Sequence, residues 1–98
     1  MPAPLDAAAL AEAMRGLPAW SCEDGRLVRT VPAPGAATAE LRRRVAAEAD
    51  ALDHHPVVED VPGGTRFVVW THSRDALTAL DPALAARVDA VVDALGLG

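Results

Sequence analysis

The chain has 98 residues, a length that predicts one domain over residues 1–98. Hydrophobic residues make up 51% of the sequence but aromatic residues only 3%, so the core must consist mainly of Ala, Val and Leu. The net charge of -5 argues against a nucleic-acid partner, because surfaces that bind nucleic acid are basic. The single cysteine, Cys22, excludes an internal disulfide and a metal cluster held by thiolates.

The first residues and the hydropathy pattern indicate a cytoplasmic protein. Residues 1–6 contain no basic region followed by an apolar core, so we expect no signal peptide. No apolar run approaches the roughly 18 residues that a membrane-spanning helix needs. We therefore expect neither a membrane span nor a membrane partner.

The first half of the chain predicts a helix, a hairpin and a second helix. Asp6 is a candidate N-cap for a helix over residues 7–15. Asp24-Gly25 is a strong turn signal between short strands at residues 20–23 and 26–31. Residues 40–52 are rich in Ala, Arg, Glu and Leu and carry an apolar stripe, which predicts the second helix. We interpret the three arginines at its start as its solvated face.

A second hairpin follows the second helix. Residues 57–61 and 65–72 are strand-like, and Pro62-Gly63-Gly64 between them is a turn signal. Because side chains alternate across a strand, we expect Phe67 in the core and His72 on the opposite face, at a rim.

A third helix completes the predicted fold. Asp81-Pro82 is typical of an N-cap followed by the first helical residue, although Thr78 is an alternative cap for an earlier start. The resulting order is α-β-β-α-β-β-α. It indicates an α+β fold in which three helices cover one face of a four-stranded antiparallel sheet. Such a sheet has two exposed edges, so we expect the chain to form at least a dimer.

All three histidines stand at the ends of predicted elements. His54 and His55 precede Pro56, which cannot continue a helix, so both imidazoles come at the C-terminal end of the second helix. His72 ends the last strand. Histidine titrates near neutral pH, which suits acid–base chemistry. The alternative is helix capping, because a protonated histidine is favoured at a helix C-terminus.

An ordered set of short motifs runs along nearly the whole chain: Leu17-Pro18-Ala19-Trp20, Leu52-Asp53-His54-His55-Pro56, Thr71-His72, Leu77-Thr78, Asp81 and Leu84-Ala85. With these motifs and spacings the chain resembles the pterin-4a-carbinolamine dehydratase family. The resemblance implies dehydration of 4a-hydroxytetrahydrobiopterin to the quinonoid dihydropterin, without a metal or any other cofactor. It also implies a homodimer or homotetramer.

The same resemblance implies which residues form the site. The catalytic set is His54, His55, His72 and Asp81, and the set that binds the pterin is Asp50, Trp20, Thr71 and Ser73. The family usually has Glu where this chain has Asp50. Two of these residues also have a structural interpretation, because Asp81 is a candidate cap and Trp20 is a candidate core residue.

The reaction explains why histidines are needed. Loss of water requires a proton delivered to the hydroxyl on C4a and another removed from N5, and groups with pKa values near 7 do both best. We expect His54 and His72 to be the acid–base pair, both at a solvent-reachable rim. We expect His55 to bind the pterin and to share in proton transfer. We also expect the three imidazoles to line one pocket, with Asp81 at its edge.

Two other functions fit parts of the sequence. Three histidines can hold zinc, although neighbours such as His54 and His55 diverge by about 100° on a helix. A non-catalytic dimerisation or assembly module of the same fold is the second alternative, and the low aromatic content favours it. The presence of all three histidines and Asp81 favours catalysis.

Overall fold

A computed structural model describes residues 3–98; the first two residues of the segment read for a signal peptide lie outside this range. Within it the elements are α1 (Ala7–Arg15), β1 (Ser21–Glu23), β2 (Arg26–Pro32), α2 (Ala36–Leu52), β3 (Val57–Val61), β4 (Gly64–Val69) and α3 (Leu80–Ala94). The strands form one antiparallel sheet in the order β1-β2-β4-β3. The predicted α+β class and element order are confirmed.

The inner face of the sheet packs against the helices and forms the core. Burial alternates along β4, where Phe67 and Val69 are fully buried and their neighbours are half-buried. Burial of an aromatic side chain such as Phe67 contributes about 1.5–3 kcal/mol. The fully buried aliphatic residues around it come from β2, α2 and α3: Leu27, Val31, Leu41, Ala49, Leu84, Ala85, Val88 and Val92. The core is thus mainly aliphatic, as the composition requires.

Positive backbone φ angles and one close contact fix the two hairpins. Asp24 and Gly25 have φ of 51° and 73°, the combination that a two-residue hairpin turn of type I′ needs. Gly64, expected in the second turn, is instead the first residue of β4. A Cβ at this position would lie 2.3 Å from the carbonyl oxygen of Val31, so only glycine lets β2 and β4 pair there.

The second helix starts four residues before the predicted position. Ala36 follows Pro34 and Gly35 directly, and alanine is the best helix former, so the helix extends back to the turn. The prediction for the three arginines is wrong in part. Arg43 and Arg44 are exposed and bind Glu40, and the hydrogen bonds from Arg43 and then Arg44 lower the pKa of that carboxyl to about 2.

Arg42, the first of the three arginines, has a different role. Arg42 is half-buried and reaches across to the sheet, where it donates to the hydroxyl of Thr65 and pairs with Asp60. It therefore joins α2 to the β3–β4 hairpin.

Within residues 3–98, none of the helices combines the length and the apolar character needed to cross a bilayer.

The ends of β4 and the start of α3 also differ from the prediction. The strand ends at Val69, and His72 instead begins a single 3₁₀ turn, His72–Arg74. Asp81 is not the N-cap, because α3 begins at Leu80. Ala79 stands in the N-cap position and has no side chain that can cap, whereas Thr78, the alternative cap, accepts a hydrogen bond from the Leu80 amide at 3.3 Å. The carboxylate of Asp81 reaches back to the amide of Thr78 at 2.8 Å, as in a capping box.

Candidate active site

An open cleft of about 450 Å³ lies where the end of α2 meets the segment after β4. Its lining residues are Asp53, His54, His55, Pro56, Val57, Thr71, His72, Ser73 and Leu80. The structure thus brings all three histidines to one cleft, although His72 is 17 residues beyond His55 in the sequence (72 minus 55). This placement matches the expected pocket, whereas the catalytic role of the three histidines stays a prediction.

A Schellman motif ends α2 and turns the chain away from the helix axis before the two adjacent histidines. Asp53 has a left-handed conformation, with φ 49° and ψ 43°, which aspartate tolerates better than most residues. The amide of Asp53 donates to the carbonyl of Asp50 and the amide of His54 donates to that of Ala49. The chain therefore turns off the helix axis at Asp53, and the divergence expected for two helical residues does not apply.

His54 is the buried histidine of the cleft. Its side chain is 9% exposed, and Nε2 lies 2.6 Å from Oδ1 of Asp81. The expectation that His54 lies at a solvent-reachable rim is therefore wrong. An ionised carboxylate only accepts hydrogen bonds, so Nε2 carries a proton. Nδ1 is then the nitrogen that keeps a lone pair.

Asp81 lies beneath the cleft and holds several groups in place. Its side chain is fully buried, so it is not at the edge of the pocket as expected. Oδ2 accepts from the hydroxyl of Thr71 at 2.9 Å and from the amide of Thr78 at 2.8 Å. Buried charges need such partners, because an unpaired ion in the core is costly. The carboxylate therefore links His54, the end of β4 and the start of α3.

His55 also pairs with a carboxylate, but at the surface. Its Nε2 lies 2.7 Å from Oδ1 of Asp50, one turn back in α2, and the two side chains are 55% and 74% exposed. Exposed pairs contribute little to stability, about 0–1 kcal/mol. The contact nevertheless orients the imidazole, and it places the predicted Asp50 beside the site.

His72 is exposed and stacks on Trp70. The two ring centroids are 4.0 Å apart and the planes meet at 14°. Its neighbours differ in exposure, since Ser73 is open to solvent while Thr71 is buried. The hydroxyl of Thr71 already bonds Asp81 and Thr78, so it supports the site from below.

Trp20 lies away from the cleft. It is buried in the core, and Nε1 donates to Oδ1 of Asp89 in α3 at 2.7 Å. Arg29 pairs with the same carboxylate. The structure therefore places Trp20 in the packing of α3 on the sheet, which agrees with its core interpretation. The alternation expected along residues 65–72 puts Trp70 on the same face as His72, but the sequence analysis gave Trp70 no role at the site. The stack is kept although the strand ends at Val69, before both residues.

The donor groups are not arranged for a metal ion. Across residues 3–98, no three or more His, Cys, Asp or Glu side chains are grouped so that they could hold one. His54 turns to Asp81 and His55 turns to Asp50, so each imidazole uses a nitrogen on its own carboxylate.

The fold and the cleft together define a class of protein: a small α+β domain whose site combines three histidines with two carboxylates. The chain belongs to the family described as pterin 4 alpha carbinolamine dehydratase, whose model matches residues 3–91. The enzymes of this family are dehydratases, which are hydro-lyases.

Relatives and a solved structure agree with this assignment. A protein of Mycobacterium sp. (strain KMS), named "Putative pterin-4-alpha-carbinolamine dehydratase", is 37% identical over 82 residues, which cover 83% of this chain and 87% of the relative. A protein of Chloroflexus aurantiacus with the same name is 35% identical, covering 90% of this chain and 96% of the relative. The crystal structure of a transcriptional coactivator/pterin dehydratase from Brucella melitensis has a TM-score of 0.82 at 27% identity and covers 91% of this chain and 98% of its own.

Proposed function

We propose that this chain dehydrates 4a-hydroxytetrahydrobiopterin to the quinonoid dihydropterin by histidine acid–base catalysis that uses no metal. The observation that carries the proposal is the meeting of His54, His55 and His72 in one cleft. Two of the three imidazoles are each held by a carboxylate. The family and the names of the relatives support the reaction class.

The contacts of His54 suit the general base. Its Nε2–H is held by Asp81, so the lone pair on Nδ1 accepts the proton from N5 of the substrate. The imidazolium that forms is stabilised by the buried carboxylate, as in other sites where an acid orients a base. Asp81 thereby fixes the tautomer and does not touch the substrate.

The exposure of His72 suits the general acid. As imidazolium it delivers a proton to the hydroxyl on C4a, and the C–O bond breaks with loss of water. Open to solvent, His72 takes up a new proton for the next turnover while His54 releases the one it accepted. His55, oriented by Asp50, remains to bind the pterin beside them.

The dehydration rate with the protein, measured against the rate in buffer alone, tests this function directly. The expected result is a large acceleration that is proportional to protein concentration. An equal rate in both would favour the second candidate, a non-catalytic assembly module. The Brucella melitensis protein is called a transcriptional coactivator as well as a pterin dehydratase, and this double name is the observation that favours that candidate.

The rate should depend on pH in a bell shape. One histidine must be protonated and the other neutral, so kcat/KM should fall on both sides of a maximum that lies within about pH 5 to 8. A stopped-flow pH series on wild type measures it, with the uncatalysed rate subtracted at each pH. His55→Gln is the control and should keep both limbs. A flat profile would contradict the assignment of an acid and a base.

We further propose that the chain assembles as a homodimer or homotetramer. Strand β3 lies at one edge of the sheet and carries Val58, the exposed large hydrophobic residue of the described chain. Unpaired edges of this kind are prone to pairing.

The mass in solution at micromolar concentration should therefore exceed the monomer mass of 10.2 kDa. Val58→Lys should shift the equilibrium towards monomer, because a charged residue blunts an edge. Ala46→Lys is the control, since Ala46 is exposed on helix α2 and not on a strand. Sedimentation equilibrium on the three proteins decides, and a monomeric wild type would contradict assembly.

The cytoplasmic location stays a prediction.

A further inference from the structure

We propose that Arg26, Trp70 and Asp75 form a brace that positions the imidazole of His72, and that Trp70 is a positioning residue for proton transfer. The inference rests on the proposed function, because it gives His72 a task that needs a fixed ring. The brace uses residues outside the lining of the cleft.

His72 needs support because the backbone beneath it is short and irregular. It opens the single 3₁₀ turn after β4, and its side chain is exposed. The backbone is closed by a bridge between Thr71 and Ala76, with the Thr71 amide donating to Ala76 at 3.0 Å. That bridge fixes the ends of the loop but not the side-chain torsions of a residue within it.

Stacking on Trp70 supplies the missing constraint. The imidazole lies 4.0 Å from the indole and within 14° of parallel, so its plane is set by the indole plane. The indole is itself half-buried and packs against the core. His72 thus inherits its orientation from the sheet, although it stands beyond the end of the strand.

Arg26 connects the indole to the far end of the turn. Its guanidinium carbon is 4.2 Å from the centroid of the Trp70 ring, a cation–π distance. The same guanidinium donates to Oδ1 of Asp75 at 2.9 Å, and Asp75 is the residue that ends the 3₁₀ turn. One arginine at the start of β2 therefore contacts both flanks of the segment that carries His72. A flat guanidinium can stack and pair at once, which lysine cannot do equally well.

The test compares Trp70→Leu with Trp70→Phe. Leucine keeps an apolar side chain but removes the ring face, whereas phenylalanine keeps a face for stacking. Misplacement of a catalytic group by about 1 Å can cost about 10²-fold. We therefore expect Trp70→Leu to lower kcat by about 10- to 10²-fold with a smaller change in KM, and Trp70→Phe to restore most of kcat.

Proton NMR gives a readout independent of catalysis. The chain has only three histidines, so a His72→Gln spectrum assigns the His72 ring protons. In wild type the indole ring current should shift them upfield, and the shift should vanish in Trp70→Leu and persist in part in Trp70→Phe. Arg26→Gln should reduce it, whereas Arg66→Gln should not, because Arg66 pairs with Glu23 and Glu59 elsewhere on the sheet.

The outcomes separate the two proposals. If wild type does not accelerate dehydration, the proposed function fails, and the ring-proton shifts alone decide whether the brace exists. If wild type is active and Trp70→Leu keeps full kcat, Trp70 does not position His72 and the inference is overturned. It is overturned equally if Trp70→Phe recovers the melting temperature but not kcat. Loss of kcat together with loss of the ring-current shift, both restored by phenylalanine, supports it.

Discussion

Replacement of His72 by alanine is expected to lower kcat for dehydration by about 10²–10⁴-fold, the usual contribution of a general acid or base. The same change should leave the free energy of unfolding within about 0.5 kcal/mol of wild type, because the side chain is exposed and carries no core packing. Rate and melting temperature measured on the same sample separate the two effects. The stack on Trp70 is lost as well, but it lies at the surface.

His72 is a better position for this test than His54. Replacing His54 removes one donor from a fully buried carboxylate, so stability and rate would fall together. His55→Ala is the matched comparison, since it too is exposed, and it should raise KM more than it lowers kcat. Normal turnover with a lowered melting temperature in His72→Ala would instead identify a structural histidine. The dehydratase mechanism would then lack its acid.

The elements that the sequence predicted well are those with local causes. Asp24-Gly25 requires two positive φ angles, and Asp6 accepts from the amide of Ala9 at 2.7 Å, so both are decided within a few residues. The start of β4 was missed because it depends on Val31, a residue 33 positions before Gly64 (64 minus 31). No local pattern reports a contact between strands.

The same distinction applies to the site. The three histidines were found from their positions at element ends, and the structure brings them to one cleft. The burial of His54 was missed because it depends on Asp81, a partner 27 residues away on another helix. The left-handed turn at Asp53 sets the direction of the His54 imidazole. The sequence Asp53-His54-His55 does not by itself predict a left-handed residue. Asp81 resembled an N-cap because it precedes Pro82. Its pairing with His54 is a tertiary contact, and the two residues Asp81-Pro82 give no sign of it.

Asp81→Asn should therefore be the most informative change of all. The amide oxygen can replace Oδ2 and accept from Thr71 and Thr78, which leaves the amide NH₂ facing His54. Two donors cannot share one hydrogen bond, so Nε2 of His54 must give up its proton and Nδ1 must carry it. The nitrogen proposed as the base is then blocked. We expect kcat to fall by about 10²–10⁴-fold with a loss of about 1–3 kcal/mol in stability.

The ¹⁵N shifts of His54 measure the tautomer, and denaturant unfolding measures the stability. Asp81→Ala should destabilise more, because it removes the acceptor of the His54, Thr71 and Thr78 donors, and each buried donor left unsatisfied costs about 1–3 kcal/mol. Asp89→Asn is the matched control on the same helix, since Asp89 accepts from Trp20 and Arg29 away from the cleft. It should lower stability and leave kcat unchanged. If Asp81→Asn keeps full kcat, or if the His54 tautomer does not change, Asp81 acts only as a structural link between the end of β4 and the start of α3.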